Sequence, residues 1–92
     1  MKIEDLRGKI NETDNKIVRL ITERMKIAEE IGREKRKQGK QIEDEEREKK
    51  VLEKVRGIAR EEGINEEAIE SIYKQIITIS KRVQGMAVAF QG

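Results

Sequence analysis

Ninety-two residues and 10.7 kDa make one domain at most, 35% of it hydrophobic and 43% charged. The chain holds no Cys and no His, which excludes a thiol nucleophile, a Ser-His-Asp triad, a disulfide and an ordinary zinc site. Twenty-one basic against nineteen acidic residues leave a charge of +2, too balanced for a nucleic-acid binder, which shows a basic excess or a basic face.

No apolar run approaches the ~20 residues that span a bilayer. Met1-Lys2-Ile3-Glu4-Asp5 leads into no apolar signal region. A soluble, cytoplasmic protein without a membrane partner is therefore expected. High charge can mean disorder, but disordered chains are poor in branched aliphatics. Here fourteen Ile recur periodically.

The first segment repeats at seven residues through Ile3, Ile10, Ile17, Arg24 and Ile31, with a second row of Leu6, Thr13, Leu20 and Ile27. That is a helix with a coiled-coil-like seam, expected from about Glu4 to Gln38 and ending at Gly39. Gly8 and Gly32 lie inside it, each costing about 1 kcal/mol relative to Ala. After a loop from Gly39 to Glu43, Asp44 is a good N-cap, and Glu45 and Glu46 suit the positive end of a helix dipole. The second helix carries Val51, Leu52, Val55, Ile58 and Ala59 on one face. Gly63-Ile64 reads as a Schellman-type stop. Asn65 caps a third helix, whose expected core row is Ile69, Ile72, Ile76, Ile79, Val83 and Met86.

The fold class is thus all-α, one long helix and two shorter ones. A helix of ~35 residues is about 52 Å long. A compact globule of this chain length has a radius of gyration near 12 Å. Two shorter helices cannot cover the whole seam of the first, so an intertwined twofold homodimer is expected.

Several polar residues interrupt the apolar stripes. Arg24 stands where the seven-residue row demands an aliphatic, so it needs an anion. Lys35, eleven residues on, points the same way. Tyr73, Ile77, Ser80 and Gln84 form a stripe beside the third helix's core row. Arg47 and Glu48 each precede an apolar residue of the second helix by one turn. Each also has a plain structural explanation. Arg24 would set coiled-coil register against a partner's Glu. Lys35 would belong to a solvated basic helix end, Arg33 to Lys40. Ser80 and Gln84 would mark a stripe edge, and Arg47 and Glu48 would be surface charges.

Taken together, these residues resemble the all-helical class of chorismate mutases from about Ile3 to Gln84. The resemblance is carried by Leu6-Arg7-x-x-Ile10, Asp14-x-x-Ile17, Glu23-Arg24, Ile31-Gly32-x-x-Lys35, Ile42-x-Asp44-x-x-Arg47-Glu48 and Ile76-Ile77-x-x-Ser80-x-x-x-Gln84. Gln41 stands where the family often has Pro. The resemblance implies rearrangement of chorismate to prephenate, on the way to Phe and Tyr, without metal or cofactor. It assigns the two substrate carboxylates to Arg24 and to Arg7 of the other subunit. Lys35 and Gln84 would face the ether oxygen. Glu48, with the backbone near Asp44, would orient the ring hydroxyl, and Ser80 and Arg47 would support the carboxylate contacts. Two alternatives stand beside it: an isochorismate-pyruvate lyase of the same fold, and a non-enzymatic helical dimerisation or nucleic-acid-binding module. Residues 1–86 would form the mutase-like domain. Ala87 to Gly92 looks like the first strand and turn of a prephenate dehydratase domain, the alternative being an apolar tail packed on the dimer.

Overall fold

A computed structural model describes the backbone of residues 2–91 and the side chains of residues 2–85. Three helices account for nearly all of it: α1 (Ile3–Lys37), α2 (Glu45–Glu62) and α3 (Glu66–Gln91). None of the described helices is long and apolar enough to cross a membrane. The helix ends follow local chemistry. The first ends at Gly39, whose left-handed φ of 68° lets its own N–H reach the Arg36 carbonyl and the Lys40 N–H reach the Lys35 carbonyl. Asp44 caps α2 by accepting from the Arg47 N–H at 3.0 Å, and Asn65 caps α3 by accepting from the Ala68 N–H at 2.8 Å. Gly63, with φ 72°, closes α2, and the Ile64 N–H returns to the Ala59 carbonyl.

α3 packs against both α1 and α2 and so holds the chain together. It crosses α1 closely at one point. A Cβ on Gly32 would stand 2.8 Å from the Gln84 carbonyl oxygen and 2.9 Å from its Cα. The helix-propensity cost of Gly32 therefore buys backbone proximity.

Beyond that crossing α1 is bare. The molecule measures 55 × 26 × 14 Å with a radius of gyration of 16.4 Å, well above the ~12 Å of a compact chain this size. Every residue from Lys2 through Leu20 is exposed. Ile3, Ile10, Ile17 and Leu20 each leave between 48% and 66% of their surface in solvent. The buried apolar residues among those described are Ala28, Val55, Ala59 and Ile77.

Two expectations are corrected. On α3 the inward stripe is Tyr73, Ile77, Ser80 and Gln84, with the last three buried. The row expected to be the core lies further out: Ile72 and Ile79 are exposed, and Ile69, Ile76 and Val83 are half-buried. The reason is that α3 turns its polar stripe toward α1, as the Arg24–Ser80 and Lys35–Gln84 contacts show. The side chain of Met86 lies outside the described residues. At the C-terminus, α3 continues to Gln91 where a strand was expected, and Gly92 lies outside the described residues.

Ion pairs tie α2 to α3. Arg60 meets Glu66 at 2.8 Å, and Arg56 reaches Glu66 and Glu70. Hydrogen bonds from Arg60 hold the Glu66 carboxyl below the usual carboxylate range, and those from Arg56 do the same for Glu70.

Two outcomes follow from this packing. Gly32→Ala should destabilise the protein in urea unfolding by about 1–3 kcal/mol, the scale of overpacking a tight contact. Gly57→Ala, with no atom within 4 Å of its new Cβ, should be neutral or stabilising. In acid, carboxyls with a depressed folded pKa contribute stability that is present above their unfolded pKa and lost as pH falls through the folded value. The thermal midpoint should thus drop below about pH 4. The double variant Glu66→Gln/Glu70→Gln should start lower at neutral pH and show a flatter acid limb.

Candidate active site

Where α1 and α3 cross, the 38–44 loop and the start of α2 close a cleft of about 330 Å³. Ligand clefts start at about this size. Its apolar wall is Ile27, Ala28 and Ile31 from α1, Val51 from α2 and Ile77 from α3. Helical spacing puts Arg24 and Lys35 at the two ends of the α1 wall. From α3 come Ser80, Lys81 and Gln84, and Asp44, Arg47 and Glu48 stand at the N-terminus of α2.

The polar groups are held by one another. The Arg24 Nη1 donates to the Ser80 hydroxyl at 2.6 Å, and that hydroxyl donates in turn to the Ile76 carbonyl at 2.9 Å. Lys35 donates to the Ile42 carbonyl at 2.6 Å and to Gln84 Oε1 at 2.9 Å. With Oε1 taken by an ammonium, the amide offers its Nε2 donor to a ligand. Oε1 of Glu48 is buried and lies 3.1 Å from the Lys81 ammonium, which also stands 3.5 Å from Glu43. The Glu48 carboxylate beside it raises the Lys81 pKa above its ordinary value.

The charge balance separates two kinds of cation. Arg33, Lys37, Arg56, Arg60, Lys74 and Lys81 each lie within 4 Å of a carboxylate. Arg24, Lys35 and Arg47 take part in none of the described ion pairs, although Arg24 and Lys35 are half-buried. Two guanidinium groups and an ammonium converge, outside any described ion pair, on a cleft whose acids are Asp44 and Glu48. Such a site suits a small anion that carries carboxylate or phosphate groups.

Seven residues singled out in the sequence meet here: Arg24, Lys35, Asp44, Arg47, Glu48, Ser80 and Gln84. Arg7 does not. It lies near the far end of α1, beside Lys2, Ile3 and Glu4. The solvated-end reading of Arg33 to Lys40 suits Arg33 and Lys37, which pair with Glu29 and Glu34 on their own helix, but fails for Lys35. Lys81, the Ile42 carbonyl and the contact at Gly32 were missed. The spacing of Lys81 was a usable signal, since it lies three residues before Gln84 and so shares its helix face.

The chorismate mutase type II profile matches residues 6–85. A chorismate mutase of Methanocaldococcus jannaschii is 35% identical over 83 residues, covering 90% of this chain and 84% of that protein. A bifunctional chorismate mutase/prephenate dehydratase of Aquifex aeolicus is 36% identical over 80 residues, which are 84% of this chain and 22% of the longer protein. One of Buchnera aphidicola is 35% identical over 78 residues, 85% of this chain and 20% of that protein. Matched through every helix and across all the elements that build the cleft, this chain belongs to the chorismate mutase type II family.

Proposed function

We propose that this chain, a chorismate mutase by family, rearranges chorismate to prephenate in the cleft between α1, α2 and α3. The observation that carries the assignment is the set of cations, Arg24, Lys35 and Arg47, that face the cleft outside any described ion pair. The reaction breaks one C–O bond and makes one C–C bond within a single molecule. It transfers no proton and needs no nucleophile. Catalysis then consists of holding the reactive chair-like conformer and stabilising negative charge on the ether oxygen as its bond breaks.

Arg24 would take one carboxylate, its guanidinium steadied by Ser80. Lys35 and the Nε2 of Gln84 would donate to the ether oxygen, a pairing supported by their mutual contact. Glu48 would accept from the ring hydroxyl, and Arg47, exposed at the rim, would draw the substrate in. The second carboxylate would fall to Arg7 of the partner subunit in an intertwined homodimer. Support for the dimer comes from the bare stretch Lys2 to Leu20, whose exposed aliphatics would each contribute on the order of 1 kcal/mol when covered. The protein would act in the cytoplasm, where its substrate is made and used.

Purified protein should consume chorismate with a chelator present, followed by loss of chorismate absorbance. No rate above background, or turnover of isochorismate alone, would contradict the assignment. Gln84→Ala should lose roughly 10²–10³-fold in kcat, the scale for one preorganised donor, and Lys35→Ala at least as much. Arg47→Ala should be milder.

Gln84→Glu separates this role from packing. A Glu donates only when protonated, and an unperturbed Glu ionises with a pKa of ~4.3. Activity of that variant should be confined to acid and vanish as pH rises through that pKa, while the parent stays active at neutral pH. A flat profile in the variant would show that this side chain does not touch the breaking bond.

A further inference from the structure

Lys81 lines the cleft from α3, between Ser80 and Gln84, yet differs from the other cations there. Its ammonium is already engaged by two carboxylates, Glu48 at 3.1 Å and Glu43 at 3.5 Å. Arg24 and Lys35 keep their charge for a ligand, whereas that of Lys81 is balanced within the protein. A cation so balanced is a poor anchor for a substrate carboxylate but a good strut for a protein one.

The three residues also belong to three separate elements. Glu43 is in the 38–44 loop, Glu48 in the first turn of α2 and Lys81 in α3. Glu48 Oε1 is buried 3.1 Å from this ammonium, an ion-pair contact that leaves the oxygen without a hydrogen bond among the described residues. Without the ammonium, a buried carboxylate oxygen that already lacks a hydrogen bond would lose its countercharge as well, and the side chain would swing toward solvent.

We propose that Lys81 is a positioning residue that fixes the Glu48 carboxylate so that its second oxygen receives the ligand hydroxyl, while drawing the loop through Glu43 against α3. The proposal rests on the reading of the cleft as the mutase site. It assigns no substrate contact to Lys81 itself, which acts through Glu48.

The test is a double-mutant cycle on the whole chain, with chorismate as substrate: parent, Lys81→Met, Glu48→Gln and the double variant. Lys81→Met and Glu48→Gln should each lower kcat/KM by about 10-fold or more, and the double variant should be no worse than the poorer single within roughly twofold. Lys81→Arg should restore most of the rate, because a guanidinium can hold the same carboxylate. Circular dichroism checks folding of each variant, and Lys81→Gln replaces Lys81→Met if the latter does not fold.

Full activity in the neutral variants would overturn the proposal and leave the mutase assignment standing. So would losses that multiply in the double variant, which would mean independent action, or a Lys81→Arg variant as poor as Lys81→Met. A parent with no turnover would overturn the mutase reading and this proposal with it.

Discussion

The close approach of α1 and α3 at Gly32 and Gln84 is the constraint on which the rest of the structure depends. Backbone stands against backbone there, with no room for a Cβ. One turn further along α1, Lys35 reaches the side chain of the same Gln84. Two turns before Gly32, Arg24 reaches Ser80, one turn before Gln84 on α3. The two polar contacts therefore flank the crossing, and the cleft opens beside it. A few tenths of an ångström of separation at Gly32 would loosen both contacts together, because rigid helices transmit the shift along their length.

The second organising feature is charge left over on purpose. The described ion pairs outside the cleft are i,i+3 and i,i+4 pairs or pairs between α2 and α3, which contribute little individually. In the cleft Lys81 is paired with Glu48, whereas Arg24 and Lys35 take part in none of the described ion pairs. Arg24 donates to a hydroxyl, and Lys35 to a carbonyl and an amide, so both are oriented without being neutralised. Orientation by neutral acceptors keeps a cation's charge available for a bound anion.

Much of this was legible in the sequence because it is local. The caps Asp44 and Asn65 and the stop at Gly63 depend on residues within one turn of each other. The excess length of α1 followed from its seven-residue repeat. Arg24 was visible because a guanidinium broke an Ile row. What was hidden depends on which way α3 faces. Its Ile-rich row looked like the core, yet α3 turns Ile77, Ser80 and Gln84 inward and leaves Ile72 and Ile79 outside. Hydrophobicity marks a buried face without saying whether the chain itself or a neighbour buries it. Gly32 looked only like a helix fault, since its neighbour lies fifty-two residues away. Lys81 was not singled out, because its acidic partners sit on other elements.

One chain supplies seven of the eight residues expected at the site and leaves Arg7 at the far end of a bare helix. The central claim is that a second chain completes each cleft. Mixing two variants tests it: Arg7→Ala and Arg24→Ala, each expected to be nearly inactive alone, unfolded together and refolded. If sites are shared, half of the dimers are mixed and each holds one intact site, so roughly a quarter of parent activity should return. If each chain builds its site alone, every site keeps its own lesion. Activity that stays at the level of the separate variants, with mixed dimers verified by mass, would contradict the account.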